Sequence, residues 1–271
     1  MIKFTLKREP TVPLEAEVLT PDVLADLKHA EICALPVYHG KRRLPLDEFL
    51  DIEGDGSEDL EIVGDLHRAR WIGRAMSRGS VVVDGNVGMH LGAYMRGGRI
   101  SIQGNAGDWV GAEMKNGMIQ VSGNAGGQIG AGYRGSLTGM RNGLIHVGGT
   151  VGLEVGLRMR RGTIVVGGIA RDFAGLQMKG GTIVLMSGAE IRTGAWMNRG
   201  TIVSLKPLQL MPTFRRSGAY MPNFLNVYAK DLKAKLGIDL PLEAEQGLFE
   251  RYVGDCSVPG KGEIFVWSPA Q

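Results

Sequence analysis

A methionine recurs at matched places in seven consecutive segments of this chain, and this repeat constrains the fold more than any other feature. The segments are marked by Met76, Met95, Met114, Met140, Met159, Met178 and Met197, with gaps of 19, 19, 26, 19, 19 and 19 residues. Each segment opens with an apolar-x-apolar triplet, such as Ile100-Ser101-Ile102. When position 0 is the first residue of the triplet, the methionine lies at position 14, and most copies have glycines at positions 4, 11 and 17. An internal repeat has to be interpreted first, because it decides the fold.

A period of nineteen residues favours short strands over helices. A helical repeat needs two helices, hence roughly 30 residues or more, and few glycines. Here 33 of the 42 glycines lie between residues 60 and 205. Glycine is favoured in tight turns, where the backbone takes a positive φ. Because such short strands bury no face alone, successive copies are expected to stack as a parallel β-solenoid.

The alternation of apolar positions predicts that the methionines face the core. Positions 10, 12 and 14 are apolar in most copies, as in Leu91, Ala93 and Met95, so these three side chains point inward together. An unbranched methionine fits a narrow interior, and we interpret the stripe as packing and not as a metal or redox ladder. The glycines at position 11 are expected to face outward, where they either take a positive φ or let another backbone come close.

The composition divides the chain into three parts. We predict an N-terminal α/β cap (residues 1–59), a β-helix of about seven coils (60–205) and a C-terminal cap or docking segment (206–271). Caps are expected because the ends of a stack expose strand edges. Thr20-Pro21 predicts the start of a short helix that runs to about Lys28. The other predicted elements are strands at residues 2–6, 32–38 and 263–267 and a helix at residues 222–236.

The composition also argues against several classes of protein. No stretch approaches about 18 uninterrupted apolar residues, and Met1 to Pro10 lacks the apolar region of a signal peptide. Cys33 and Cys256 lie far apart, which fits a reducing cytoplasm better than a disulfide framework. The net charge of +3 is mild for a nucleic-acid-binding protein. We therefore expect a cytoplasmic protein without a membrane or nucleic-acid partner.

Two short motifs resemble binding sites, and we interpret both as structural. The segment from Asp51 to Asp59 resembles the start of a calcium-binding loop, but Ile62 occupies the position that needs a bidentate glutamate. The segment Gly130–Gly135 matches G-x-G-x-x-G, but it lies inside the repeat and not between a strand and a helix. No histidine or cysteine has metal-ligand spacing, and no nucleophile lies in a recognisable elbow. We therefore predict no catalytic residue and no metal site in this chain.

A row of cations is the surface feature for which the sequence suggests a function. Position 15 follows the inward methionine and so faces outward, and it is occupied by Arg96, Lys115, Arg141, Arg160 and Lys179. On strands about 5 Å apart, each neighbouring pair repels by somewhat under about 1 kcal/mol in water. These five side chains, the basic ridge, are either a solvated surface or a docking site for an acidic subunit or a polyanionic ligand such as a carrier cofactor.

The repeat resembles that of the GXGXG repeat family. Its clearest copy contains Ile100-Ser101-Ile102-Gln103-Gly104-Asn105-Ala106-Gly107 and continues through Gly111, Met114 and Gly117. That family includes the C-terminal domain of the large subunit of glutamate synthase and the C subunit of formylmethanofuran dehydrogenase. The resemblance covers residues 60–205, although Arg171 and Glu190 replace the glycine at position 7. It implies an all-β fold, a right-handed parallel β-helix (solenoid) with small α/β N- and C-terminal caps.

The resemblance further implies a subunit of an enzyme complex. A separate chain with the tail Gly260-Lys261-Gly262-Glu263-Ile264 is more similar to the C subunit than to the glutamate synthase domain, and 20 arginines against 11 lysines favour a bacterial counterpart. That counterpart is the formyltransferase/hydrolase complex of methylotrophs, which converts formyl-tetrahydromethanopterin to formate through a formylmethanofuran-type carrier. The resemblance implies a non-catalytic structural subunit of a hetero-oligomer, without a cofactor of its own. The methanofuran-type carrier and zinc are expected on partner subunits.

Three alternatives stay open at this point. The chain could be the C subunit of a molybdenum or tungsten formylmethanofuran dehydrogenase, which a molybdopterin or iron–sulfur partner would indicate. It could be a glutamate-synthase-like structural domain. It could also be a solenoid enzyme in its own right, although a hexapeptide acyltransferase would show a period of six, which this sequence lacks.

Overall fold

Thirteen strands form one large sheet in the computed structural model, which describes residues 1–243 and 245–270, and four short strands form a second sheet. In chain order the strands are β1 (Ile2–Leu6), β2 (Leu14–Glu15), β3 (Pro36–His39), β4 (Arg42–Pro45), β5 (Leu50–Glu53), β6 (Asp59–Val63), β7 (Ala69–Arg70), β8 (Ser80–Asp84), β9 (Arg99–Ile102), β10 (Met118–Val121), β11 (Leu144–Val147), β12 (Thr163–Val166), β13 (Lys179–Leu185), β14 (Arg199–Ser204), β15 (Arg215–Tyr220), β16 (Gly247–Gly254) and β17 (Gly262–Pro269). The helices are α1 (Pro21–Leu24), α2 (His29–Cys33) and α3 (Leu225–Leu236), and a 3₁₀ turn covers Leu46–Glu48. The large sheet has the order β15-β16-β17-β14-β13-β12-β11-β10-β9-β8-β6-β1-β5, and the small one β4-β3-β2-β7.

The repeat forms the parallel centre of the large sheet. Strands β8 to β13 each carry one apolar triplet, and neighbouring strands pair in parallel at the same position of the repeat. Ile100 thus lies beside Ile119, and Ile119 beside Ile145. The first and third residues of these triplets are buried, whereas the middle residue ranges from buried to exposed. The repeat period therefore sets the strand register.

Both ends of the large sheet differ from the predicted architecture. Strand β1 pairs in parallel with β6, and β17 pairs in parallel with β14, so each terminal segment adds a strand to the repeat. Beyond them, β5 pairs with β1, β16 with β17 and β15 with β16, all antiparallel. The prediction of a right-handed parallel β-helix (solenoid) with separate α/β caps is therefore wrong, and the chain forms a mixed sheet. The physical reason is that the terminal segments supply antiparallel strands to the open edges, which the repeat alone leaves unpaired.

Six of the seven methionines pack against a glycine of the next copy, and Met197 packs against Gly262 of β17. All seven methionines of the repeat are fully buried, which confirms their predicted place in the core. A Cβ on Gly117 would come within 2.8 Å of the Met95 methyl carbon, and the same distance applies at Gly143, Gly162, Gly181 and Gly200 with the methionine of the copy before. The methionine and the position-17 glycine recur together because one fills the space that the other leaves.

The glycines at positions 11 and 4 are required for different reasons. Gly111 has a φ of +60°, and a Cβ there would overlap the buried side chain of Ile145. The expectation that position 11 faces outward is thus wrong, because the left-handed backbone interrupts the alternation. At position 4, a Cβ on Gly123 would lie 2.5 Å from the side-chain oxygen of Asn105. That oxygen accepts the backbone N–H of Asn124 at 2.8 Å, so the glycine makes room for a ladder of asparagines.

The C-terminal segment covers the outer face of the later repeat strands. The middle residues Val165, Val184 and Val203 form a second apolar cluster that includes Leu225 and Leu232 of α3. In the three copies before Val165 the middle residue is polar (Ser101, Gln120 and His146), and Val82 of the copy before them is 38% exposed. The change from polar to apolar along the repeat is therefore explained by where α3 lies.

The local elements near the termini follow the sequence only in part. The predicted strand at residues 2–6 is confirmed, and the predicted C-terminal helix ends at Leu236 with Gly237 in the left-handed conformation. The helix that starts at Pro21 has only four residues, and residues 29–33 form α2 where a strand was predicted to begin at Ile32. Among residues 1–243 and 245–270, no helix is long and apolar enough to cross a membrane.

Candidate functional site

The basic ridge is a continuous row in the structure. The backbone N–H groups of Arg96, Lys115 and Arg141 each donate to the carbonyl oxygen of the methionine in the preceding copy, at 2.7 Å. Arg160 and Lys179 continue the row in the same way, at 2.9 and 2.7 Å. Within residues 1–243 and 245–270, no ridge residue forms an ion pair with a carboxylate inside 4.0 Å. The ridge therefore presents net positive charge to the surroundings.

Two ridge cations also hold a loop. Residues 132–139 lie within the 26-residue copy, and we name them the insertion loop. Lys179 Nζ donates to the carbonyl oxygen of Leu137 at 2.7 Å, and Arg141 Nη2 donates to Thr138 Oγ1 at 3.1 Å. The ridge is thus partly a support for this loop, which the sequence did not indicate.

A row of stacked aromatic rings contacts the insertion loop. Trp71 and His90 stack with ring centroids 4.1 Å apart and planes 10° apart, and Trp109 follows His90 at 6.4 Å and 21°. Tyr133 of the insertion loop stacks on Trp109 at 4.7 Å and 22°. We name these four residues the aromatic row. The guanidinium of Arg74 lies over the Trp71 ring, 5.2 Å from its centroid, which adds a cation–π contact.

A hydrogen bond fixes the loop to the row. The hydroxyl of Tyr133 lies 2.9 Å from His90 Nδ1, and the Tyr133 backbone N–H donates to Glu113 Oε1 at 3.2 Å. Burial, helped by the charge of Arg70, lowers the pKa of His90, and burial raises the pKa of Tyr133. Both side chains are therefore neutral at neutral pH. With its proton on Nε2, the imidazole accepts the hydroxyl hydrogen at Nδ1.

A cleft of about 470 Å³ opens beside the aromatic row. Besides Trp109 and Tyr133, its polar lining consists of Asp108, Gln128, Arg134, Glu154 and Arg158. Most of these groups bond within the protein: Gln128 Nε2 donates to Glu154 Oε2 at 3.1 Å, and Arg158 Nη1 donates to the Ser136 carbonyl at 2.5 Å. The cleft thus has the chemistry of a polar junction that holds the insertion loop, and no serine or cysteine nucleophile lines it.

No model of a known protein family matches the chain. Among curated proteins, the C subunit of the tungsten-containing formylmethanofuran dehydrogenase 2 of Methanothermobacter wolfeii is 38% identical over 97 residues, which are 34% of this chain and 36% of that protein. The C subunit of the formyltransferase/hydrolase complex Fhc of Methylorubrum extorquens is 36% identical over 89 residues, 32% of this chain and 34% of that protein. The matched segment thus spans about a third of the length of these curated relatives.

A solved structure extends the similarity to the whole chain. It is the X-ray crystal structure of the formyltransferase/hydrolase complex (FhcABCD) from Methylorubrum extorquens in complex with methylofuran. One of its chains is 32% identical to this one with a TM-score of 0.89, over 99% of this chain and 100% of that chain. This chain belongs to the family formed by the C subunits of formylmethanofuran dehydrogenase and of the Fhc complex. These similarities do not establish the GXGXG repeat as such, so that part of the resemblance stays a prediction.

The segment from Asp51 to Asp59, which resembles the start of a calcium-binding loop, forms a turn between strands in this structure. Asp55 Oδ1 accepts the backbone N–H of His29 at 2.8 Å, and Ser80 Oγ donates to Asp59 Oδ1 at 2.5 Å. These carboxylates stabilise the junction between β5, β6 and β8. Across residues 1–243 and 245–270, no group of three or more His, Cys, Asp or Glu could hold a metal ion.

The G-x-G-x-x-G segment carries the insertion loop and precedes no helix. The described chain continues from it through the loop to β11, so the dinucleotide interpretation is excluded on geometry. Its residue Tyr133 contacts the aromatic row and holds the loop there.

The aromatic row is the site that the sequence reasoning missed. Trp71, His90 and Trp109 are nineteen residues apart and share position 9, so a signal was present in the same register that located the methionines. Tyr133 breaks that spacing because it lies in the insertion loop, and only the fold brings it to the row. The basic ridge was located correctly as a row, but its binding role stays a prediction.

Proposed function

We propose that this chain is the non-catalytic structural subunit of a formyltransferase/hydrolase complex. In this proposal the complex converts formyl-tetrahydromethanopterin to formate through a formylmethanofuran-type carrier. The observation that carries the proposal is the full-length similarity, at 32% identity and a TM-score of 0.89, to a chain of the FhcABCD complex. A supporting role for the chain agrees with the sheet, whose regular spacing serves packing of methionine on glycine and not chemistry.

The chemistry is assigned in this proposal to partner subunits, together with zinc and the carrier. The described residues offer no cluster of metal ligands, and the cleft beside the aromatic row lacks a nucleophile. Zinc would supply an activated water for hydrolysis on the subunit that binds it. No step of the reaction is assigned to a side chain of this chain.

Purification of the tagged chain from its natural host tests the proposal. We expect it to co-purify with formyltransferase and hydrolase subunits in a fixed ratio, and the complex to release formate from the formylated carrier. Removal of zinc with a chelator should abolish hydrolysis while the thermal unfolding temperature of the isolated chain stays unchanged. Hydrolysis of the formylated carrier by the isolated chain at the rate of the complex would contradict a structural role.

A formylmethanofuran dehydrogenase is the second candidate. It is favoured by the 38% identity to the C subunit of the tungsten-containing enzyme, which is slightly above the 36% found for that of the Fhc complex. Elemental analysis of the purified complex separates the two candidates. Molybdenum or tungsten together with iron and sulfide would support the dehydrogenase, and their absence from an active complex would support the formyltransferase/hydrolase.

We further propose that the basic ridge docks an anionic surface, either an acidic partner subunit or a polyanionic carrier. The five cations lie in one row and lack carboxylate partners in the described chain. Lys115 and Arg160 are suitable for charge reversal, because both are exposed and neither holds the insertion loop. Lys115→Glu with Arg160→Glu should weaken assembly or carrier binding, and more so at low salt, since salt screens exposed charges.

The matched control is Lys41→Glu with Arg43→Glu, two exposed residues at the β3–β4 hairpin of the small sheet, which changes the net charge equally. If the ridge variant and the control assemble and bind the carrier as the wild-type chain does, the ridge is only a solvated surface.

Two further predictions, on domain organisation and on location in the cell, also belong to the proposed function. The division into residues 1–59, 60–205 and 206–271 is proposed to separate a repeat from two docking ends. A cytoplasmic location is supported by the free thiols of Cys33 and Cys256.

A further inference from the structure

The insertion loop presents one apolar side chain to the outside. Leu137 is 74% exposed, which is the highest exposed fraction of any large apolar side chain between residues 60 and 205. The loop is also the one departure from the nineteen-residue spacing among the seven methionines. An exposed leucine of this kind adds nothing to the core of the chain.

The loop is held in place from several copies of the repeat at once. Arg158 donates to the carbonyl oxygen of Ser136 at 2.5 Å, and Lys179 donates to that of Leu137 at 2.7 Å. At the other end, the ring of Tyr133 is stacked on the aromatic row and its hydroxyl bonds to His90. A loop that is ordered in advance loses less conformational entropy when it binds, which favours recognition by contact.

A second exposed apolar side chain lies near the same lysine. Trp196 is 50% exposed and, with Lys179 and Val258, lines an open depression of about 400 Å³. It occupies position 13, where Ala75 has the same φ of +55°. The indole is therefore not demanded by the backbone conformation. Tryptophan is among the residues most enriched at the energetic centres of interfaces.

One cation, Lys179, lies beside both side chains, and the only carboxylate bonded to Trp196 in the described chain, that of Asp255, accepts its backbone N–H at 2.9 Å. Lys179 contributes to the support of Leu137 and to the depression at Trp196, and Arg160 precedes Lys179 in the basic ridge. Within the described chain, neither cation forms an ion pair with a carboxylate. Apolar anchors next to cations without carboxylate partners match a protein surface whose apolar pockets lie next to carboxylates.

We propose that Leu137 and Trp196 anchor a folded partner subunit, whose carboxylates face Arg160 and Lys179. The inference rests on the proposed function, because it assumes that the chain assembles into a complex. It goes beyond it by naming the surface and the chemistry of the partner. The two anchors would lie at the centre of the interface, and the cations would orient the partner at its rim.

Reassembly of the complex with variant chains tests the inference. Leu137→Ala and Trp196→Ala together should raise the dissociation constant for the partner about tenfold or more, as truncated anchors do. The matched control is Leu153→Ala with Val227→Ala, two side chains that are 47% and 71% exposed elsewhere on the surface. The control pair should leave the dissociation constant unchanged, and both pairs should keep the wild-type thermal unfolding temperature.

A photo-cross-linker placed at residue 137 provides a test that does not depend on truncation. It should capture one partner subunit within the assembled complex, whereas a cross-linker at residue 153 should not. The inference is overturned if the double variant assembles with wild-type affinity, or if residue 137 cross-links only to a second copy of this chain. In those cases the proposed function stands, provided that the wild-type chain co-purifies with its partners. Failure of the wild-type chain to assemble at all would overturn both.

Discussion

At the scale of single residues, the repeat depends on positions that adopt the left-handed backbone conformation. Among the described residues, thirteen that are not glycine have φ between +52° and +67°, and their side chains are as different as those of Ala75, Glu113 and Trp196. Each such residue costs roughly 1–2 kcal/mol. The backbone N–H of Tyr94 donates to Ala112 of the next copy at 2.8 Å, and that of Gln177 donates likewise to Ala195. Hydrogen bonds between copies therefore offset the strain of the turns.

The packing of methionine on glycine predicts a large effect of one methyl group. Gly117→Ala places a Cβ 2.8 Å from the Met95 methyl carbon at a φ of +103°, so we expect a loss of roughly 2–4 kcal/mol in the free energy of unfolding. The control is Gly237→Ala, where φ is +70° and nothing lies within 4 Å, so the loss should be about 1 kcal/mol. Denaturant unfolding of both variants measures the difference. Equal losses would mean that the Met95 side chain moves aside without lowering the free energy of unfolding.

A half-buried histidine predicts a pH dependence of stability. His146 lies on β11 and its Nδ1 has no hydrogen-bond partner among the described residues. Burial lowers its pKa below the ordinary value of 6.5, so the unfolded chain takes up this proton at a higher pH than the folded chain does. The stability that the neutral ring provides is therefore complete above pH 6.5 and declines as the pH falls below it.

His146→Gln should reduce that decline, since Gln120 occupies the matching position on the neighbouring strand. The measurement is the free energy of unfolding between pH 7.5 and 5.5 for both chains. The slope should become smaller without vanishing, because the pKa of His90 is lowered by burial as well. An unchanged slope would show that His146 is not the group that titrates.

At the scale of elements, α3 determines how the outer face of the sheet is used. Its Leu225 and Leu232 are buried with the middle residues of β12, β13 and β14, whereas Val227 on the same helix is 71% exposed. Strand β17 then returns to pair with β14, with Ile264 beside Ile202. A segment remote in sequence thus provides both the cover and the next parallel strand.

Two substitutions on α3 test this arrangement. Leu232→Ala removes a side chain that is 1% exposed, and we expect a loss of roughly 2–5 kcal/mol in the free energy of unfolding. Val227→Ala on the exposed side should stay within about 0.5 kcal/mol of the wild type. Thermal and denaturant unfolding give both values. A Leu232→Ala loss as small as that of Val227→Ala would mean that α3 contributes little to the fold.

At the scale of the whole molecule, the large sheet is a row in which each strand contacts its immediate neighbours. Nine of its pairings, from β1 to β17, are parallel, and the antiparallel strands lie at the two ends of the described sheet. The strands β15 and β5 are the two edges of the described sheet, and each pairs with a strand on one side only. Resistance to local opening should therefore fall from the centre towards both edges.

Amide hydrogen exchange measures this gradient. Amides of β10, β11 and β12 should exchange slowest, and those of β15 and β5 fastest, because edge strands open without disturbing the rest of the sheet. If the edge strands exchange as slowly as the central ones, the sheet opens only as a single cooperative unit. Binding of a partner at the Leu137 and Trp196 surface should slow exchange in the insertion loop without altering β15.

The sequence by itself determined the register of the repeat. Met95 and Gly117 recur with the same spacing because the methionine side chain fills the space beside a residue without a Cβ. A packing constraint that repeats at a fixed spacing can be recognised from the sequence alone. The same register located the basic ridge, although its role stays a prediction. It also contained the spacing of Trp71, His90 and Trp109.

Only the tertiary structure decided how the ends join the repeat. Strands β1 and β17 pair with strands that are far from them in sequence, and β16 and β5 run antiparallel, so the all-parallel prediction failed at both edges. The contacts of Tyr133 with His90, and of Lys179 with Leu137, likewise join residues 43 and 42 apart. The periodicity of the sequence predicts which side chains lie in one row along the repeat. It does not predict which irregular segment packs against that row, because this packing depends on strand edges and surfaces that exist only after the sheet has formed.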